Sequence, residues 1–136
     1  GANGSNLTHT DTDFPMFRLA DAYLMYAELA ANGVGSKTTA RGYVNALRTR
    51  AGAVAIANDS DITSDFVLDE RARELYWEGH RRQDLIRANK FTGGAKLWQW
   101  KGNALNGASI DAKFNVYPIP QTELNTNSNL TQNTGY

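Results

Sequence analysis

"FPMFRLADAYLMYAELAANG", residues 14–33, is the stretch whose reading decides the fold. Pro15 suits the first turn of a helix, where its missing N–H is no loss. From Met16 to Ala31 nearly every residue is apolar or small. The exceptions are Arg18, Asp21, Glu28 and Asn32. With Met25 they fall at intervals of three and four, which predicts one narrow polar stripe on a helix otherwise covered by neighbours. Asn32-Gly33 is the expected stop. Such a helix cannot stand alone in water.

A short turn, "GVGSK" (33–37), leads to a second expected helix at about 38–50. Tyr43, Val44, Leu47 and Ala51 form its apolar face, and Gly52 ends it. Two antiparallel helices joined by a tight turn are the unit of helical repeat proteins. A third helix is expected over 64–78, with Leu68, Ala72, Leu75 and Tyr76 inward and Gly79 as stop. A short fourth follows over about 81–88. The expected pairs are 15–32 with 38–51 and 64–78 with 80–89. Three or more repeats are usually needed for a stable stack, so the array looks incomplete. From Phe91 the pattern changes to glycine and asparagine, "FTGGAKLWQWKGNALNGAS" (91–109). In "VYPIPQTEL" (116–124), two prolines one residue apart enforce an extended segment. The final "NTNSNLTQNTGY" (125–136) has almost no apolar content and can be ordered only by lying on another surface. The expected organisation is a polar leader over 1–13, a helical region over 14–90 and an irregular loop and extended tail over 91–136.

The 136 residues amount to one domain's worth of chain. Fourteen basic residues balance fourteen acidic ones, so no net field draws the chain to nucleic acid or an anionic membrane. Without cysteine it has neither disulfides nor thiolate metal sites. No apolar run approaches the ~20 residues of a membrane span. The polar start "GANGSNLTHTDTD" lacks the apolar core of a secretory signal, and position 1 is read as a processing or expression boundary.

The densest chemistry lies in "ELYWEGHRRQDLIR" (74–87). As an enzyme site it would make Glu74 or Glu78 a general acid, His80 a base and Arg81 an anion clamp. A glycosidase needs two carboxylates facing each other across a cleft. Glu70, Glu74 and Glu78 instead follow one another at four-residue steps along one helix. Asp69 and Arg73 are spaced as an i, i+4 pair, and Asp84 lies one turn from Arg81 and Arg87. The preferred reading is therefore a structural ion-pair cluster of Glu70, Arg71, Glu74, Glu78, Arg81, Arg82 and Asp84, with no catalytic residue. His9, in "HTDTD", and His80 do not supply a zinc ligand pattern, and no metal or cofactor is expected. "DTD" and "NDSD" could bind calcium weakly but do not match the twelve-residue loop, and solvated turns are preferred. There is no phosphate loop or serine nucleophile elbow. Trp98 and Trp100 are the candidate carbohydrate-binding residues. If extended, their rings point to opposite sides, so one could cover the helices while the other stacks on a sugar. Burial as loop anchors is the favoured alternative for each.

Taken together, "FPMFRLADAYLMYAELAANG", "ALRTRAG" (46–52), "LDERARELYWEGHRRQDLIR" (68–87), "KFTGGAKLWQWKGN" (90–103), "VYPIPQTEL" and "NLTQNTGY" (129–136) resemble the C-terminal end of the SusD/RagB family of Bacteroidetes outer-membrane nutrient-binding proteins. The resemblance spans almost the whole chain in the family's order. It implies a mainly α fold of tetratricopeptide-like helix pairs followed by an irregular, loop-rich C-terminal region. It also implies non-catalytic capture of a glycan or other nutrient at the cell surface and delivery to a SusC-like TonB-dependent transporter. Family members are longer and are lipid-anchored to the outer membrane through an N-terminal cysteine that this chain lacks. The remaining N-terminal part of the same protein is thus an expected partner. The family's ligand contacts come mainly from loops outside these motifs, so no binding residue is carried over. Two other readings are a helical-repeat protein adaptor and, less favoured, a carbohydrate hydrolase.

Overall fold

The computed structural model describes residues 13–136, which form two compact units, one up to Arg81 and one from Arg82 to Tyr136. The fold is mainly α, as expected. No helix among the described residues is long and apolar enough to cross a membrane.

The first unit contains α1 (Leu19–Ala31), α2 (Lys37–Arg50), a 3-10 turn (Asp59–Asp61) and α3 (Ser64–Glu74). Its helices begin and end through local chemistry. Ser36 Oγ accepts the Thr39 N–H at 3.2 Å, and Thr63 Oγ1 accepts the Phe66 N–H at 3.2 Å. Each satisfies a donor that the first turn of a helix leaves free. At the end of α1, Gly33 (φ 87°) reverses the chain. The Val34 N–H then reaches the Leu29 carbonyl at 2.9 Å and the Gly33 N–H that of Ala30 at 3.2 Å. Gly52 (φ 70°) closes α2 in the same way, with Ala53 bonded to Arg48 and Gly52 to Thr49. Glycine takes this left-handed conformation without the Cβ clash of other residues.

α1 packs on both α2 and α3. Leu24, Ala27 and Ala30 are buried with Ala40, Val44 and Leu47 of α2, and with Ile62, Val67 and Leu75. Tyr23 stacks on Tyr43 with centroids 4.4 Å apart, and Tyr26 meets Tyr43 edge-on at 5.3 Å.

Several expectations need correction. α1 starts at Leu19 rather than Pro15, because Arg18 is extended (φ −148°, ψ 157°) and its side chain is committed to the end of α3. The stripe of α1 faces solvent only in part: Met25 and Asn32 are exposed and Glu28 is half-buried, but Arg18 is turned to Glu74 and Glu78. Asp21 is buried, and the solvent-facing residues are Leu19, Ala22, Met25 and Leu29. Leu19, Met25 and Leu29 are 64%, 51% and 53% exposed. α3 stops at Glu74 instead of Glu78, and Tyr76, expected inward, is exposed. The helix that α3 packs on is α1, and all but the first residue of α4 (Arg81–Arg87) belongs to the second unit.

The second unit holds most of α4, 3-10 turns at Lys101–Asn103 and Ala112–Asn115, α5 (Gln121–Thr126) and one antiparallel bridge between Gly93 and Ile110. Leu85 is buried, but much of the order here is polar. The Gln132 side-chain amide pairs with both backbone groups of Ile119 at 2.9 Å, and Asn133 Nδ2 donates to the Tyr117 carbonyl at 2.7 Å. Tyr136 Oη, with one proton to donate, lies within reach of the carbonyls of Val116 (2.9 Å) and Lys113 (3.2 Å). The polar tail is thus ordered by reading the backbone of "VYPIP", whose prolines hold that backbone extended.

Removing one partner of a buried ion pair leaves the other charge desolvated and uncompensated. Arg71→Leu, facing Asp21, is expected to lower stability by about 3–5 kcal/mol. Arg50→Ala, at an exposed pair, should cost under ~1 kcal/mol. Urea denaturation of the two variants beside the parent chain checks the contrast.

Candidate functional site

The charged motif of the first unit is a network of ion pairs drawn from three helices. Arg18 donates to Glu78 through Nε (2.7 Å) and Nη2 (2.7 Å), and to Glu74 through Nη1 (2.6 Å). Nη2 also reaches the Glu74 carbonyl at 2.5 Å, near the end of α3. The hydrogen bonds that Arg18 donates to Glu78 do most to hold its guanidinium above its ordinary pKa. The bond to Glu74 and the two negative charges add to it, against the loss of hydration. Arg50 also reaches Glu74, at 2.5 Å. Glu70 is buried and takes Arg48 at 2.8 Å and Arg73 at 2.5 Å. Arg71 meets Asp21 at 2.8 Å, both buried, as a charge contact without hydrogen-bond alignment. Arg81 donates to the Leu68 carbonyl at 2.7 Å and lies 3.4 Å from Asp69.

Arg73 pairs with Glu70 and Arg81 lies near Asp69, two partnerships that the four-residue spacing of Asp69 and Arg73 did not indicate. Arg18, Asp21, Arg48 and Arg50 were missed as members, since nothing in their local spacing shows that they face α3. Glu74 and Glu78 converge on one arginine rather than opposing each other across a cleft.

In the second unit Asp84 is buried with Arg87 at 3.1 Å, while Arg82 is used differently. Its guanidinium lies 4.0 Å from the Tyr117 ring centroid and 5.2 Å from that of Phe91, and it donates to the Phe114 carbonyl at 2.7 Å. These groups line a cavity of about 630 Å³ together with Ile110 and Tyr136. Asp111, also on its wall, accepts the Lys113 N–H at 2.8 Å. Arg82, Asp111 and Tyr136 thus already have protein partners, and most of the remaining wall is apolar. A sugar needs several convergent polar groups to fix its hydroxyls. This cavity suits apolar matter better.

Trp98 and Trp100 sit on a compact knot of turns instead of an extended strand. The Trp100 N–H bonds the Ala104 carbonyl (3.0 Å), Lys101 that of Trp98 (3.1 Å) and Ala108 that of Lys101 (2.8 Å). Lys101 is buried at its centre. Its Nζ donates to the Lys96 carbonyl at 2.6 Å and lies 4.7 Å from the Trp98 ring centroid, and burial lowers its pKa. Trp98 is therefore covered on one side by the ammonium and is 44% exposed; Trp100 is 63% exposed and held at φ 67°. A bulky residue in that region is strained, and strain at an exposed aromatic marks a candidate contact. The pattern of alternate sides fails because the chain turns between the two rings.

The metal candidates fare differently. His9 and the first two residues of "DTD" lie outside the described residues. In "NDSD", Asp59 pairs with Arg41 at 2.8 Å and accepts Thr38 Oγ1 at 2.5 Å, and Asp61 caps the Asn58 N–H at 3.1 Å. Among the described residues no three histidine, aspartate or glutamate side chains gather to hold a metal.

A side chain at Gly107 (φ 79°) would place its Cβ 2.5 Å from the Trp98 carbonyl oxygen. Gly107→Ala should therefore distort the tryptophan knot while leaving the first unit folded. The expected outcome is altered tryptophan fluorescence with unchanged helical circular dichroism.

Comparison with known proteins sets this geometry in context. The SusD family profile matches residues 1–136. The starch-binding protein SusD of Bacteroides thetaiotaomicron is 46% identical over 132 residues, covering 97% of this chain and 23% of its own length. SusD-like protein P38 of Formosa agariphila is 35% identical, over 93% of this chain and 25% of its own. A SusD superfamily crystal structure from Parabacteroides distasonis superposes with a TM-score of 0.74 at 28% identity, covering 98% of this chain and 30% of that one. Surface glycan-binding protein A from Bacteroides uniformis gives 0.69 at 32% identity, covering 88% and 27%. The chain thus spans about a quarter of the length of the curated relatives it matches.

Proposed function

We propose that this chain, which belongs to the SusD family, is part of a surface protein that binds a glycan without cleaving it and delivers it to a SusC-like TonB-dependent transporter. The observation that carries this reading is the match along the whole chain, with 46% identity to a protein named for starch binding. Within that protein, the motif acids serve as scaffold. Glu70, Glu74 and Glu78 hold Arg18 before α1, Arg48 and Arg50 of α2 and Arg73 of α3, an arrangement that does not oppose two carboxylates as hydrolysis requires. Trp100, with Trp98 beside it, is the sugar-stacking candidate of these residues. Aromatic faces bind the C–H side of a pyranose by apolar contact, and Trp offers the largest face. The reading also places the protein at the outer membrane, surface-exposed and lipid-anchored through an N-terminal region.

The test is a glycan array followed by calorimetry on a full-length family protein carrying these residues. Binding to an oligosaccharide, weakened several-fold by Trp100→Ala and less by Trp98→Ala, is expected. Glu74→Gln should leave affinity unchanged even where it lowers the melting temperature. No reducing ends should appear on prolonged incubation with any bound polysaccharide. Absence of every glycan hit, or release of reducing ends by the pure protein, overturns the reading.

A further inference from the structure

We propose that the aromatic cavity of the second unit is a ligand site of its own, for a small uncharged aromatic molecule. Every residue that lines it belongs to Arg82–Tyr136, so the site is built within one unit. Its volume, about 630 Å³, lies in the range of small-molecule pockets, which are mostly apolar with a few placed polar groups. The aromatic walls are fixed before anything enters. The Arg82 guanidinium lies 4.0 Å from the Tyr117 ring centroid and 5.2 Å from that of Phe91, and its bond to the Phe114 carbonyl holds it there. Phe114 and Tyr136 meet edge-on with centroids 6.2 Å apart. Lys113 Nζ lies 5.3 Å and 5.2 Å from the centroids of those two rings and donates to the Gly135 carbonyl at 3.1 Å, which ties the tail to its support. Walls held in this way lose little freedom when a ligand enters.

The chemistry of the walls selects the ligand. The charged groups that line the cavity, Arg82 and Asp111, are of opposite sign, and each is already bonded to backbone. A ligand charge of either sign would therefore meet one like charge while losing its hydration. A sugar would leave most of its hydroxyls unpaired against Phe91, Ile110 and Val116. An aromatic ring instead finds ring faces and edges, which attract it in offset or edge-on contact. Ser109, an exposed wall residue, can exchange a hydrogen bond with a single polar substituent. The same chemistry could arrive as a free aromatic molecule or as the aromatic aglycone of a glycoside, since exposed Ser109, Asp111 and Tyr117 leave the mouth open. This inference does not depend on the glycan reading, and neither Trp98 nor Trp100 lines the cavity.

The test uses 2-naphthol with a full-length family protein carrying these residues. Calorimetry should show saturable binding. The methyl resonance of Ile110 on the cavity wall, assigned through Ile110→Val, should move by ring current as the probe is added. 2-Naphthoate, similar in shape but charged, should bind at least about tenfold more weakly. Tyr117→Ala removes an exposed wall ring, and Ser109→Trp fills the mouth. Each should weaken 2-naphthol at least about fivefold with little change in melting temperature. The glucoside of 2-naphthol separates the sources: binding equal to that of 2-naphthol identifies an aromatic aglycone, and weaker binding a free aromatic molecule. Failure of 2-naphthol to bind, an Ile110 methyl that stays still, or equally tight 2-naphthoate overturns the proposal. Binding that survives both Tyr117→Ala and Ser109→Trp puts the probe elsewhere and refutes the site. Should one variant fail to melt cooperatively, the other and the Ile110 resonance decide.

Discussion

The contact between Asp21 of α1 and Arg71 of α3 governs the rest of the first unit. Both groups are buried, so their attraction is little screened and neither can be left alone without a large desolvation cost. Holding them together fixes which way α1 is rotated. Leu24, Ala27 and Ala30 then turn into the core, and Leu19, Met25 and Leu29 turn out. Arg18 extends the same charged edge to Glu74 and Glu78, so it ties the entry to α1 to the exit from α3. That tie explains why the backbone at Arg18 is extended and why the helix cannot begin at Pro15.

The second unit solves a different problem with different means. It has too few apolar residues for a conventional core, and its backbone is satisfied by side-chain amides, a tyrosine hydroxyl and a buried ammonium. Such bonds are directional, so they can hold irregular turns in one arrangement where apolar packing alone would permit several. The consequence is that two tryptophans are displayed on a stiff support instead of being folded inward. An aromatic ring already fixed in place loses little freedom when a ligand stacks on it, which is the condition for useful binding by a loop. The neighbouring aromatic cavity, where Arg82, Asp111 and Tyr136 already have protein partners, illustrates how similar residues can be arranged mainly for apolar contact.

The two units place scaffold and candidate contact in separate parts of the sequence. The charged helical motif carries architecture, and the glycine-rich loop carries exposed rings. A mutation that lowers stability and one that lowers ligand affinity should therefore fall in different stretches, which is how the two roles can be told apart in solution.

What the sequence determined by itself is local. Apolar periodicity placed α1, α2 and α3, the glycines at 33 and 52 marked where two of them end, and the prolines at 118 and 120 kept their segment extended, because each effect acts within a few residues of its cause. The close spacing of acids and bases in the motif was legible too, although α3 ends at Glu74, so Glu78 does not share a helix with Glu70 and Glu74. The partners of those acids were not legible. Arg18, Arg48 and Arg50 lie 22 to 60 residues away from them along the chain, and only packing of α1 and α2 against α3 brings them within reach. The same holds for the turn between Trp98 and Trp100, which is set by a lysine finding carbonyls and by a glycine at 107 that lets the chain pass. Which side of α1 faces water was decided by tertiary structure as well. Residue type says that a charge prefers water, but a buried partner of opposite charge reverses that preference, and the partner is chosen by the fold.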